Sequence, residues 1–167
     1  MKERESGRSP FWRYAAISVP LILGTGFLIG RLSNSGYGND WFDALAKPAT
    51  MPPGWAFGAA WSMLYIALGL SLALVLAAPR QRGRRFALGL FAAQMLLNFS
   101  WSPVFFGMNE ARPALLIIVT MLALSIAIVF LFRRIDRRAN WLMLPYLAWL
   151  AFASHLNFEI IQLNPGA

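Results

Sequence analysis

The sequence predicts an all-α membrane protein, a bundle of five transmembrane helices. Hydrophobic residues make up 58% of its 167 residues and charged residues only 13%, about half the charged fraction of an ordinary soluble domain. The mean hydropathy is +0.54. Five apolar runs alternate with polar or basic segments, and each run is close to the length of about 20 residues that a helix needs to cross a bilayer.

The chain opens on a polar, charged tail of residues 1–10, which we expect to be disordered and cytoplasmic. The first apolar run covers residues 11–32. Basic residues precede it, as in a secretory signal, but the run is long enough to span a bilayer, and no small-residue cleavage site precedes the polar segment at Ser33. We therefore interpret it as the first transmembrane helix.

The other four spans are predicted at residues 55–78, 86–107, 113–132 and 141–163. Pro103 lies inside the third of them, and a proline there removes a helical hydrogen bond and predicts a kink. Residues 33–54, between the first two spans, form a long loop with aromatic residues and prolines. A loop of this length is usually either functional or disordered, and its residue types favour a functional loop.

The positive charges lie mainly on one side of the predicted bundle. With five spans, twelve of the fifteen Lys and Arg residues lie near the N-terminus or follow the second and fourth spans, and three lie on the other side. The positive-inside rule then places the N-terminus in the cytoplasm and loop 33–54 on the opposite side, if the protein resides in an inner membrane. The net charge of +8 therefore indicates topology and attraction to lipid headgroups, not nucleic-acid binding.

Several kinds of chemistry have no support in the sequence. There is no cysteine and only one histidine, His155, so disulfides, thiol catalysis and Cys or His metal clusters are excluded. Glu159 is the one acidic residue within the five predicted spans. No paired carboxylates, no Ser-His-acid set and no phosphate-binding loop are found, so we predict no metal site, no required cofactor and no conventional hydrolytic enzyme.

Aromatic residues form a stripe on the second predicted span. Phe57, Trp61 and Tyr65 recur at i, i+4 and i+8, which places three rings on one helical face. Such rings either pack within the bundle or lie in the interfacial aromatic belt. Because Trp61 lies two turns inside the span, about 9 Å deep by helix rise, contact with a ligand is an equally good interpretation.

Two further spans carry polar or aromatic stripes. The third has Gln94, Asn98 and Trp101 on one face, and the fifth has Tyr146, Trp149, Ala153 and Asn157. Amides in hydrocarbon need partners, so they either join helices by hydrogen bonds or act as polar groups in an apolar cavity. Together the stripes predict a cavity for a planar hydrophobic ligand.

With these residues the chain resembles the TspO/MBR family of tryptophan-rich sensory proteins and translocator proteins, the latter once called peripheral benzodiazepine receptors. The resemblance covers residues 24–164 and depends on motifs in a fixed order. They are Trp41-Phe42-Asp43-x-Leu45-x-Lys47-Pro48, Pro52-Pro53-x-Trp55-x-Phe57, Trp61-x-x-Leu64-Tyr65, Gln94-x-x-x-Asn98-x-x-Trp101-Ser102-Pro103, Pro145-Tyr146-Leu147-x-Trp149 and Leu156-Asn157-Phe158.

The resemblance implies a homodimer of five-helix bundles, each with a ligand cavity that the first loop covers as a lid. The implied pocket residues are Trp61, Trp149 and Asn98, with Phe57, Trp101 and Ala153 nearby, and the stripes add Tyr65 and Gln94. The lid residues are Trp41, Pro48, Met51, Pro52, Pro53 and Trp55. Many bacterial relatives carry tryptophans where this chain has Ala49, Thr50 and Met51, so this lid is expected to stack less well on a macrocycle.

Family ligands include protoporphyrin IX and haem, so the resemblance implies a receptor or sensor that regulates tetrapyrrole levels or stress signalling. Two alternatives remain: a transporter exporting porphyrins or other hydrophobic molecules, and an enzyme that degrades porphyrin in light. The lack of coupling carboxylates and of visible inverted repeats favours binding over transport. The expected partners are a hydrophobic small molecule, the lipid bilayer and a second copy of the chain.

Overall fold

The computed structural model describes residues 10–166, and over that range it contains helices and loops but no strand. The helices are α1 (Pro10–Leu32), α2 (Asp40–Ala44), α3 (Gly54–Ala77), α4 (Arg84–Ser102), α5 (Ala111–Ile135) and α6 (Arg137–Leu163), and a π-helical segment (Pro103–Gly107) continues α4. The predicted disordered tail lies outside the described residues except for Pro10, which begins α1, a position where proline is well tolerated.

Four of the long helices are apolar enough to cross a membrane: α1, α3, α4 with its π segment, and α5. The chain is therefore an all-helical, multi-pass membrane protein with four candidate spans, one fewer than the sequence analysis predicts. The fifth long helix, α6, does not reach the same hydropathy because it begins with two arginines and carries Asn140, His155 and Glu159. It nevertheless has 27 residues and packs along α3 and α5.

Helix α1 packs antiparallel on α3, α3 on α6, and α5 on both α4 and α6, so the bundle has two distinct ends. We call one the basic end; it comprises the start of α1, residues 78–83 and the α5–α6 junction at Asp136. The opposite end, which we call the aromatic end, comprises the first loop (residues 33–53), the π segment and the end of α6.

The first loop contains a short helix, α2, that the sequence analysis does not predict. The Asn39 side chain caps this helix by accepting a hydrogen bond of 3.0 Å from the backbone N–H of Phe42. Phe42 is buried against Phe105 and Phe106 of the π segment, with ring centroids 6.2 and 5.2 Å away. Two hydrogen bonds of 2.9 Å also join the backbone of Ala46 to the Asn164 amide at the end of α6. The loop is therefore attached to two helices.

The predicted kink at Pro103 takes the form of the π-helical segment. The Met108 N–H donates to the carbonyl of Pro103, five residues earlier, over 2.9 Å. Since a π turn is wider than an α turn, such segments often occur at functional sites. Here the segment carries Phe105 and Phe106, which meet the first loop.

Glycines allow α1 and α3 to pack very closely. A Cβ atom on Gly69 would lie 2.7 Å from the Val19 backbone, and the Ser18 hydroxyl donates a hydrogen bond of 2.7 Å to the Gly69 carbonyl. Nearer the aromatic end, a Cβ atom on Gly26 would overlap the Tyr65 ring. The position of Tyr65 therefore depends on the absence of a side chain at residue 26.

Candidate ligand-binding cavity

A cavity of about 770 Å³ lies within the aromatic end, among α1, α3, α4, α5 and α6 and under the first loop. Pockets for small organic ligands usually measure about 300–1,000 Å³. Most of its lining side chains are aromatic or aliphatic. They include Phe27, Phe42, Met51, Phe57, Trp61, Tyr65, Trp101, Phe105, Phe106, Ile118, Met121, Trp149, Leu156 and Ile160.

One wall consists of rings from α3 and α6. Trp149 meets Trp61 edge to face, with ring centroids 6.2 Å apart and planes at 80°, and it meets Phe57 at 5.9 Å and 81°. Edge-to-face pairs at this distance are favourable and hold the rings in defined orientations. Ala153, one turn beyond Trp149, adds only a methyl group to this wall. The wall is thus a fixed aromatic surface beside a small residue.

A hydrogen-bonded layer forms the floor of the cavity. The Tyr65 hydroxyl donates to Asn98 Oδ1 over 3.0 Å, and Asn98 Nδ2 donates to the Tyr146 hydroxyl over 2.8 Å. Gln94 Nε2 also donates to the Tyr146 hydroxyl. Asn98 therefore both joins α3, α4 and α6 and reaches the cavity. Gln94 and Tyr146 are fully buried below it.

Two indole N–H groups beside the cavity have no hydrogen-bond acceptor. They are Nε1 of Trp101 and Nε1 of Trp149, both buried and without a partner among residues 10–166. A buried donor left unsatisfied costs about 1–3 kcal/mol. Both side chains line the cavity, but the two Nε1 atoms are themselves buried. An acceptor group on a bound ligand would therefore remove that cost only if the indoles turned toward the cavity.

Near the first loop, the cavity wall includes a single charged residue. Arg31, at the end of α1, is the one ionisable lining residue with a formal charge in the described part of the chain. It is exposed and has no carboxylate within 4.0 Å among residues 10–166. Beside it, the Tyr37 hydroxyl donates to the Pro52 carbonyl over 3.3 Å. This part of the cavity can therefore attract an anionic group.

The structure brings seven of the eight predicted ligand-binding residues to the cavity wall. They are Phe57, Trp61, Tyr65, Asn98, Trp101, Trp149 and Ala153. Gln94 does not reach it, because its amide is used in the bond to Tyr146 one turn below Asn98. Asn157, which the sequence analysis placed on the α6 stripe, also lines the cavity, and its Nδ2 donates to the Ala111 carbonyl over 2.9 Å.

Of the six predicted lid residues, only Met51 lines the cavity. Trp41 instead packs against Phe105 at 5.3 Å, and Pro48 is buried within the loop. Pro52 and Pro53 lead into α3 with their rings away from the cavity lining. Trp55 is 76% exposed on the outer surface of α3, a position typical of the interfacial belt.

Sequence reasoning missed the contribution of α1 and of the aliphatic helix α5. Gly26, Phe27 and Gly30 line the cavity from α1, and Ile118 and Met121 do so from α5. The four-residue spacing of the two glycines was a usable signal for a close approach. Nothing in the uniform aliphatic pattern of α5 distinguishes its two lining residues from their neighbours.

His155 and Glu159 lie outside the cavity. His155 Nε2 is 3.3 Å from Glu159 Oε2, and the Thr50 hydroxyl donates to the same oxygen over 3.2 Å. These groups form a surface contact between α6 and the first loop.

Fold and cavity together define a multi-pass helical membrane protein with an aromatic cavity at one end of its bundle. The chain belongs to the TspO/MBR family, whose sequence pattern matches residues 16–163. It is 36% identical to the Tryptophan-rich protein TspO of Chlorobaculum tepidum, over 90% of this chain and 95% of that protein. It is 38% identical to the Tryptophan-rich sensory protein of Cereibacter sphaeroides, over 75% and 78%. It is 32% identical to the Translocator protein of Homo sapiens, over 95% and 94%. None of these names is that of an enzyme.

Proposed function

We propose that this protein is a membrane receptor that binds tetrapyrroles, such as protoporphyrin IX or haem, in the aromatic cavity and reports their level. The observation that carries the proposal is the cavity of about 770 Å³ with rings on its walls and two unpartnered indole donors. A porphyrin has a flat apolar body, which suits aromatic walls. It also carries carboxylate oxygens, which suit buried N–H donors and the charge of Arg31.

The first loop acts as the lid of this receptor. Its attachment to the π segment through Phe42 and to α6 through Asn164 supports a cover that is stable when closed. Ligand entry then requires these contacts to break so that the loop can move aside, as the lids of other proteins do. Ala49 and Thr50 are exposed and do not line the cavity, so stacking on the ligand depends on the helices rather than on this part of the loop.

We further propose that α6 is a fifth transmembrane span. It begins at the basic end, where the Ser71 hydroxyl donates to the Ala139 carbonyl, and it ends beside Ala46 at the aromatic end. Its 27 residues correspond to about 40 Å by helix rise, more than the hydrocarbon core of about 30 Å. The N-terminus is then cytoplasmic, the lid lies on the other side, and the receptor is a homodimer as the family resemblance implies.

Binding without passage is favoured over transport by the floor of the cavity. Gln94 and Tyr146 are fully buried beneath Asn98, and Leu68, one turn beyond Tyr65 on α3, is fully buried as well. A ligand held above this layer has no open route to the basic end. Crossing would require the Asn98–Tyr146 hydrogen bonds to break and the packed core below to separate.

The proposal is tested by titrating the purified protein with protoporphyrin IX and following tryptophan quenching. Trp61→Phe and Trp149→Phe each remove an indole from the wall, and each is expected to weaken binding by about tenfold, since an aromatic pair contributes about 0.5–1.5 kcal/mol. Trp12→Phe is the matched control, because Trp12 is exposed at the basic end. Unchanged affinity in both cavity variants would place the ligand elsewhere.

The two alternative functions have separate tests. Protein reconstituted into liposomes is expected to bind protoporphyrin IX without accumulating it inside, and accumulation above protein-free vesicles would establish transport. Samples with bound pigment are expected to give the same products as free pigment under illumination. A new product that requires both light and Trp149 would establish degradation.

A further inference from the structure

A second cavity, of about 330 Å³, lies at the basic end on the outer side of the α5–α6 junction. It shares no lining residue with the cavity at the aromatic end. Its lining residues are Val129, Phe130, Arg133, Arg137, Asn140, Trp141 and Leu144. We call it the junction groove. One side of it is cationic and the other is apolar, and the proposed receptor function uses none of these residues.

The two arginines of the junction groove have uncompensated charges. Arg133 and Arg137 lie on either side of the break between α5 and α6, and neither has a carboxylate within 4.0 Å among residues 10–166. The nearest acidic residue in sequence, Asp136, is already paired with Arg138 by side-chain hydrogen bonds of 3.2 and 2.9 Å. Two guanidinium groups therefore remain to bind an external anion, and guanidinium matches the geometry of phosphate.

An amide lies between the charges and the apolar wall. Asn140 is only 8% exposed as a residue, but its amide atoms are not among the fully buried, unpartnered atoms of residues 10–166, and the residue lines the groove. Its backbone N–H donates over 3.4 Å to the Asp136 carbonyl. Because an amide offers two N–H donors and an acceptor oxygen, this side chain is available to a polar ligand atom in the groove.

The remaining side of the groove is apolar and faces outward. Phe130 and Trp141 are each 62% exposed, and Val129 and Leu144 complete this surface. Because α5 is a candidate membrane span, an exposed Phe130 contacts lipid chains, whereas Arg133 and Arg137, three and seven residues further along the chain, reach the headgroup level. A tryptophan at this depth is typical of the bilayer interface. The groove is thus apolar where the acyl chain of a phospholipid would lie and cationic where its headgroup would lie.

From these contacts we propose that the junction groove binds one anionic phospholipid in the leaflet at the basic end. Arg133 and Arg137 hold the headgroup phosphate, and the Asn140 amide donates to a phosphate or ester oxygen. The acyl chain lies along Phe130 and Leu144. Free phosphate would satisfy the cations alone and leave the apolar side unused. Basic sites between transmembrane helices on the cationic side of a membrane protein are suited to such headgroups.

The test is native mass spectrometry of the purified full chain, incubated in detergent with phosphatidylglycerol or with phosphatidylcholine. We expect one phosphatidylglycerol to be retained in preference to phosphatidylcholine. Arg133→Gln with Arg137→Gln is expected to weaken that retention by about tenfold or more, given the contribution of each basic residue near anionic lipid. The matched control is Arg80→Gln with Arg82→Gln, which removes the same charge from exposed positions at the same end.

Equal losses in the two double variants would overturn the proposal, because they would indicate general surface charge. So would displacement of the lipid by inorganic phosphate at the same concentration, which would indicate an anion site alone. Asn140→Leu keeps the side-chain volume and removes the amide, and it is expected to reduce retention without changing helicity by circular dichroism. If the double variant does not fold, the unmodified protein still tests the proposal. Equal retention of phosphatidylglycerol and phosphatidylcholine by that protein would contradict the proposed site.

Discussion

The two halves of the bundle are packed very differently although they are formed by the same helices. Toward the basic end, side chains such as Leu68, Val75, Phe132 and Met143 are fully buried, and Phe132 stacks on Phe91 at 5.7 Å. Toward the aromatic end, the same helices surround a cavity of about 770 Å³. The change occurs at the layer of Gln94, Asn98 and Tyr146, where hydrogen bonds between α4 and α6 replace hydrophobic packing.

The difference shows how one bundle can be both stable and open. Small residues and glycines let α1 and α3 touch near Gly69, and aliphatic side chains fill the space between the other helices. Above the hydrogen-bonded layer, large rings meet edge to face and leave space between them. The packed half therefore supplies rigidity, and the open half supplies the proposed binding surface. Changes in the two halves should affect different measurements.

The largest expected effect is on stability, in the packed half. Leu68→Ala should lower the free energy of unfolding by about 2–5 kcal/mol, because it creates a cavity in a close-packed core. Affinity for protoporphyrin IX should be nearly unchanged, since Leu68 does not line the cavity. Denaturant unfolding in detergent, followed by circular dichroism, measures the first quantity. Leu116→Ala is the control, because Leu116 is 73% exposed; similar losses for both would mean that the packed half is not the source of stability.

The next effect is on affinity, at the boundary between the halves. Gly26→Ala places a Cβ atom where the Tyr65 ring now lies, so the ring must move and its bond to Asn98 must weaken. Overpacking of this kind costs about 1–3 kcal/mol, and we expect binding of protoporphyrin IX to weaken by about tenfold. Gly24→Ala, which meets nothing within 4 Å, should bind normally. Equal binding by both variants would exclude Tyr65 as a support of the site.

The length of the apolar runs was sufficient to predict the four candidate spans, although it also predicted a fifth, and helical periodicity predicted part of the cavity wall. Phe57, Trp61 and Tyr65 lie on one face because 3.6 residues complete a turn. The same spacing places Trp149 and Ala153 on one face of α6. Periodicity does not tell which helices face each other. The pairing of Gln94 with Tyr146 depends on the positions of α4 and α6, so the roles of the two amides, Gln94 and Asn98, could be separated only in the structure.

The first loop was the least predictable part. Prolines indicate a stiff backbone, but they do not indicate where neighbouring side chains point, so Trp41 and Trp55 were both assigned to the lid although neither lines the cavity. Helix α2 has only five residues, too few for a periodic pattern. Helix α6 is a different case. Its stripe of lining residues could be predicted from the sequence, but its polar residues keep its hydropathy below that of the four candidate spans.

A smaller effect is expected from loosening the first loop. Asn164→Ala removes both hydrogen bonds to the Ala46 backbone, each with a net contribution of about 0.5–1.5 kcal/mol, and the lid should open more often. Because both bonds are exposed, each should contribute near the lower end of that range, and stopped-flow measurement should show dissociation of protoporphyrin IX faster by about fivefold. Thr50→Val removes one exposed bond to Glu159 and should change the rate less. If dissociation is unaffected by Asn164→Ala, the loop does not act as a lid.

The smallest expected effect comes from removing the charge of Arg31 at the aromatic end. At the aromatic end, Arg31 alone brings a charge to the cavity wall in the described part of the chain. Because Arg31 is exposed, its attraction for a ligand carboxylate should contribute about 0.2–1 kcal/mol. Arg31→Gln should therefore weaken protoporphyrin IX binding by about twofold to fivefold, more at low salt, and leave binding of the dimethyl ester unchanged. Arg112→Gln, at the same end but outside the cavity lining, is the control. If Arg31→Gln weakened binding of the ester as much as binding of the free acid, Arg31 would act through packing of its side chain. The difference in charge between the two ends would then have no part in ligand recognition.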